Sequence, residues 1–138
     1  MLKLARLPDW ERRLVAVEER HQAADFAWGE CDCMLAAADA IQAVTGKDPA
    51  KRVRGRYASG FGAAKMLRRR KAKSVEDVLA KHLPPIARLM AQRGDVCTVE
   101  RDGQISAGYV TMHGIAVKSA RGLGYVPITE AREAFKVG

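Results

Sequence analysis

Cysteine and histidine are scarce in this chain, with three of each among 138 residues, and aromatic residues make up only 6%. An odd cysteine count, with Cys31 and Cys33 flanking a single residue, disfavours a disulfide framework. Cys31-x-Cys33 also lacks the two-to-four-residue gap of a zinc site, and no second Cys/His pair follows it, so no metal and no cofactor is expected. No apolar run approaches the roughly 20 residues needed to cross a bilayer, because charged residues interrupt every candidate. The opening Met1-Leu2-Lys3-Leu4-Ala5-Arg6 lacks the continuous apolar segment of a secretory signal. Internal repeats and low-complexity linkers are absent too. What remains, with 48% hydrophobic residues, is enough for one ordinary core, and a single domain over residues 1–138 is expected.

Acidic residues are missing between Asp48 and Glu76. That interval holds Lys51, Arg52, Arg54, Arg56, Lys65, Arg68, Arg69, Arg70, Lys71 and Lys73, a large share of the excess behind the net charge of +8. Such a block serves as a solvated helix face, as a nucleic-acid site, or as a surface docking on an acidic neighbour or an anionic polymer. Aromatic interleaving for base stacking is limited to Tyr57 and Phe61, so specific nucleic-acid binding is disfavoured.

Periodicity divides the chain into helices followed by strands. Trp10, Leu14 and Val17 fall at helical spacing behind Asp9 as N-cap. A second helix runs from Cys33 to about Val44 and stops at Thr45-Gly46. Gly60-Phe61-Gly62 introduces a third, and Ser74-Val75-Glu76-Asp77 reads as a capping box opening a fourth that Pro84-Pro85 ends. From Gly94 the period becomes two. Val96–Glu100 and Ile105–Val110 flank Asp102-Gly103, a strong hairpin signal, and Ile115–Val117 and Tyr125–Ile128 follow as short strands. Thr129–Phe135 reads as a short closing helix. Helices packed on a small antiparallel sheet make an α+β fold.

The most informative stretch is Phe26-Ala27-Trp28-Gly29-Glu30-Cys31-Asp32-Cys33. Asp32 is a favoured N-cap and the alanine-rich run after it is strongly helical, which puts Cys33 in a first helical turn. Unpaired amides and the positive helix end there favour a thiolate, so Cys33 is expected to be the most reactive of the three cysteines. The other reading is a small core residue. Phe26 and Trp28, at alternating positions, are expected to share one side and pack into the core. Cys97 reads as a buried strand residue, and His21 and His82 as surface or boundary residues.

Trp28-Gly29, Asp32-Cys33 at a helix start, and Gly94-Asp95-Val96 opening a β segment resemble the NlpC-type cell-wall peptidases. More closely, the chain is similar to a related family of largely uncharacterised bacteriophage and prophage tail proteins. The residues carrying that likeness are Trp10, Arg13-Leu14, Phe26, Trp28-Gly29, Asp32-Cys33, Ala37-Ala38-Asp39-Ala40, Gly46, Asp48, Gly55-Arg56-Tyr57, Gly62-Ala63, Gly94-Asp95 and Val126-Pro127. The resemblance implies a papain-like fold, a place in the virion after synthesis in a bacterial host cytoplasm, and other tail-tip or baseplate proteins as partners. It also implies Cys33 as nucleophile. A cysteine peptidase needs a histidine to share the proton, and the NlpC register puts it just before a Val-Gly-Ile-like triplet. Here that triplet is Ala107-Gly108-Tyr109, and the histidine position holds Ser106. His113, in His113-Gly114-Ile115, echoes the motif later in the chain and is the candidate base, although Thr111-Met112-His113-Gly114 also reads as a turn. The orienting third residue is not assigned; Lys118, Ser119 and Tyr125 lie where the resemblance would place it. Two functions are therefore expected in competition: a structural tail-tip protein with a degenerate active site, or a peptidoglycan endopeptidase/amidase using Cys33 and His113.

Overall fold

Capping chemistry sets where the helices begin. In the computed structural model, which describes residues 3–138, α1 spans Trp10–Ala23, α2 Cys33–Thr45, α3 Gly60–Arg69 and α4 Val75–His82. The Asp32, Ser59 and Ser74 side chains accept from the amides of Leu35, Gly62 and Asp77, each satisfying a donor that the first helical turn leaves open. Gly46 ends α2 at φ 80°, the left-handed C-cap that glycine adopts without strain. At α1 the Asp9 side chain makes no cap; only its backbone carbonyl accepts, from the Arg13 amide at 3.1 Å.

The strands are β1 (Pro85–Ile86), β2 (Val96–Arg101), β3 (Gln104–Thr111), β4 (Gly114–Ser119), β5 (Gly122–Val126) and β6 (Glu133–Phe135), with single 3-10 turns at Arg88–Met90 and Ile128–Glu130. They form one antiparallel sheet of order β1-β6-β2-β3-β4-β5. Asp102 and Gly103 both take positive φ, 53° and 78°, which matches the right-handed twist of the β2–β3 hairpin.

The expected closing helix over Thr129–Phe135 is not formed. Its first part is a 3-10 turn and its last part is β6, which pairs with β2 and β1. Helix propensity favours that stretch locally, but β2 offers an unpaired edge: the Arg132 amide donates to Thr98 O at 2.7 Å. Ala134 and Phe135 then enter opposite cores, as period two requires. Pro85 is tolerated because β1 is an edge strand.

Both sheet faces are covered. One carries Val96, Ala107, Tyr109, Ala116 and Phe135 against Leu14 of α1 and the small face of α2, Ala36, Ala37, Ala40 and Val44. The other carries Cys97, Val99, Val110, Ile115 and Val117. The β3–β4 ladder holds only from Thr111↔Gly114 to Tyr109↔Ala116, so the two strands part company toward Ser106 and Ser119.

Polar ties fasten these layers. His21, expected near the surface, is 1% exposed and bridges Tyr109 Oη at 2.7 Å and Asp39 Oδ2 at 2.8 Å. Arg20 and Arg54 also pair with Asp39, and Arg54 reaches on to Asp48. Burial pushes the Asp39 carboxyl up, but the His21 hydrogen bond and the charges of Arg54, His21 and Arg20 together hold it below the ordinary aspartate value. Lys118, buried in β4, donates to the carbonyls of His21 and Ala24, neutralising the negative end of α1.

A carboxyl whose folded pKa is depressed contributes stability that is complete above its unfolded pKa and is lost as pH falls through the folded value. Asp39→Asn is therefore expected to cost about 2–3 kcal/mol at neutral pH, and the cost should shrink as pH drops below the ordinary value of 3.8. Urea melts between pH 2 and 7 measure this; a pH-independent difference would contradict it.

Candidate functional site

The turn before α2 is built around one buried carboxylate. Asp32 accepts from the Gly29 amide at 3.0 Å, from the Leu35 amide at 2.9 Å and from the Tyr57 hydroxyl at 2.5 Å. Gly29 sits at φ +79°, and a Cβ there would lie 1.9 Å from Tyr57 O, so no other residue fits. Tyr57 is thus pressed onto the turn by both backbone and hydroxyl, and burial followed by the Asp32 hydrogen bond drives its own pKa far up.

Cys33 follows in the first turn, as the sequence predicts. The side chain packs against the second core, with the Ala107 and Met34 amides and the Ser106 side chain near enough to favour its thiolate. Those donors favour thiolate, but burial outweighs them and the neighbouring Asp32 carboxylate opposes them further, so the thiol pKa is raised rather than lowered. The same holds for Cys31, raised chiefly by burial, and for Cys97, pushed up to about 12. Helix-start geometry alone does not activate this thiol.

His113 is placed elsewhere. It occupies the β3–β4 turn, where Thr111 Oγ1 accepts from its amide, and its Nδ1 lies 3.0 Å from Glu18 Oε2. Tyr125 donates to the same carboxylate oxygen at 2.5 Å and meets the imidazole edge-on, ring centroids 5.5 Å apart. From Ser106, beside the sulfur, to the end of β3 is about 16 Å at the usual rise per strand residue. The structure does not bring Cys33 and His113 together. Of the residues in the expected orienting region, Lys118 caps α1 and Tyr125 serves Glu18.

His21 was the histidine with a structural signal available: it continues the Leu14, Val17, Glu18 spacing, and all four are buried. Trp28, expected in the core, is 42% exposed; it meets Phe26 edge-on at 5.0 Å and lies against Gly60 at the start of α3. The Gly94-Asp95 pair proves to be an anchor. Asp95 accepts from the Gln92 and Val137 amides, both at 2.9 Å, and from Arg6 at 3.1 Å.

Of the basic block, only Arg54 has an ion pair among the described residues. The rest surround α3, none of whose residues is fully buried.

These features define an α+β domain with a cysteine at a helix start against an antiparallel sheet. The family described as a domain of unknown function (DUF6950) matches residues 5–137, and the chain belongs to that family. No curated protein and no solved structure matches it.

A raised thiol pKa has a direct kinetic signature. Iodoacetamide labelling of Cys33, followed by mass spectrometry, should keep rising by about tenfold per pH unit from pH 7 to 9; a plateau below pH 8 would reveal an activated thiolate. Gly29→Ala should destabilise the fold by at least about 3 kcal/mol through strain and the clash with Tyr57, whereas Trp28→Ala should cost only about 1 kcal/mol because the ring is half out of the core. Denaturant melts of the two variants give the comparison.

Proposed function

We propose that this chain is a structural component of a bacteriophage tail tip or baseplate, built on a papain-like, NlpC-type fold whose catalytic site is degenerate. The observation that carries this reading is the surroundings of Cys33: Ser106 rather than a histidine lies near the thiol, and burial with the Asp32 charge raises its pKa. Loss of a general base removes a factor of about 10²–10⁴ in rate, and a thiol of raised pKa is a weak nucleophile besides. The order of elements, helices first with the cysteine opening α2 and then an antiparallel sheet, supports the papain-like assignment. The motif residues Asp32, Asp39, Asp48 and Asp95 each hold backbone or charge ties, which favours a role in which shape is what matters. The exposed basic surface around α3 supplies a docking face for an acidic neighbour in the assembly.

The competing reading, an active peptidoglycan endopeptidase or amidase, draws on the Ala107 and Met34 amides near the sulfur, donors of the kind that stabilise an oxyanion. Incubation of the purified protein with sacculi separates the two. No muropeptide release above the Cys33→Ala background is expected, and phage carrying Cys33→Ala should assemble normally. Release abolished by both Cys33→Ala and His113→Ala would overturn the structural reading. Reversing Arg68, Arg69 and Arg70 to Glu should leave the fold intact and block incorporation into particles; normal incorporation would remove the docking role from this face.

A further inference from the structure

Where β3 and β4 part company, a pocket of about 190 Å³ opens beside Ser106, lined among others by Arg101, Asp102, Gln104, Ser106, Ser119 and Arg121. The register explains its composition: Arg101 pairs with Gln104 and Val99 with Ser106, so alternate residues of β2 and β3 point to this side. Arg101 is the unusual member. Its Nη1 is buried without a hydrogen-bond partner, and its guanidinium makes no ion pair among the described residues. Gly124 of β5 admits it, since a Cβ at that position would lie 2.9 Å from Nη1. A buried donor left open in this way calls for an acceptor that the chain itself does not supply. Arg121 stands at the exposed rim 4.0 Å from Asp102, so that two arginines and one aspartate leave the pocket one net positive charge.

We propose that this pocket is a binding site for a small carboxylate, such as the free C-terminal carboxylate of an amino-acid or peptide ligand. A guanidinium carries the planar fork of donors that matches two carboxylate oxygens, and Ser106, Ser119 and Gln104 add polar side chains to the lining. The volume is below that of sites for drug-sized ligands, which fits a chain terminus and one short side chain rather than a nucleotide. Ser106 stands between this pocket and Cys33, so an occupant would lie next to the thiol without needing any reaction there. The assignment is independent of whether the chain is a hydrolase or a structural tail component.

Amide and arginine Nε–Hε NMR spectra of the full chain, titrated with N-acetyl-alanine, test it. Saturable shifts at Arg101 Nε and at the Ser106 and Ser119 amides are expected, with no such response to N-acetyl-alaninamide, which has the same shape and no charge. Arg101→Gln should weaken binding at least about tenfold, as loss of a bidentate charged pair does, while the dispersed spectrum reports the retained fold. Arg121→Gln, altered only at the exposed rim, should weaken it less. Equal response to acid and amide, no saturation, or shifts unaffected by Arg101→Gln would each overturn the proposal. Saturation by inorganic phosphate without saturation by N-acetyl-alanine would overturn the carboxylate assignment.

Discussion

The Asp32 carboxylate is the point on which both fold and chemistry turn. It is buried, and it holds three donors at once: the amide of Gly29 in the incoming turn, the amide of Leu35 in α2 and the hydroxyl of Tyr57 from the following loop. Without it the first turn of the most buried helix would face an apolar interior with an open amide. The same negative charge lies beside Cys33 and works against ionising it. The residue that fixes the cysteine in position therefore also keeps it a thiol. A catalytic pair would need a cation next to the sulfur to reverse that sign, and Ser106 brings none.

A second set of ties performs the equivalent task for the sheet. His21, Tyr109 and Asp39 join α1, β3 and α2 through two short hydrogen bonds inside the core, and Lys118 from β4 seals the end of α1. Buried polar groups satisfied this fully define one arrangement of the layers, because any slip leaves a charge unpaired. These residues are chemistry-bearing types performing structural work, and each would pass for an active-site group in a list of buried histidines, lysines and aspartates.

Much of the architecture is legible in the sequence because it rests on local rules. The α2 cap and stop, the Ser74 cap and the Asp102-Gly103 hairpin all follow from side chains within four residues of the feature they create. What escapes is what distant partners decide. Thr129–Phe135 has the composition of a helix, yet the open edge of β2 draws it into a strand. His21 looks like a boundary residue until Tyr109 and Asp39, from elsewhere in the chain, supply its two partners. Trp28 has a core-type side chain, but the turn at Gly29 leaves it resting on Gly60. At the site, the helix-start position of Cys33 and the adjacent Asp32 charge are legible and the raised pKa is not, since the burial that dominates it depends on how the loops close over the thiol.

Arg6 joins parts of the chain that are far apart. Its Nε donates to Val137 O across a separation of 131 residues, while its other nitrogens reach Arg93 O and Asp95, and its guanidinium stacks on Trp10 at 4.3 Å. Beside it, β6 reaches back over more than thirty residues to pair with β2. Closing loops of that length is entropically expensive and slow, and the reward comes only when both sides have arrived. The clamp thus depends on contacts far longer in sequence than those of α1 with α2 or of the β2–β3 hairpin. Once set, it couples the segment before α1 to β6, so that opening of either one exposes the other as a single cooperative unit.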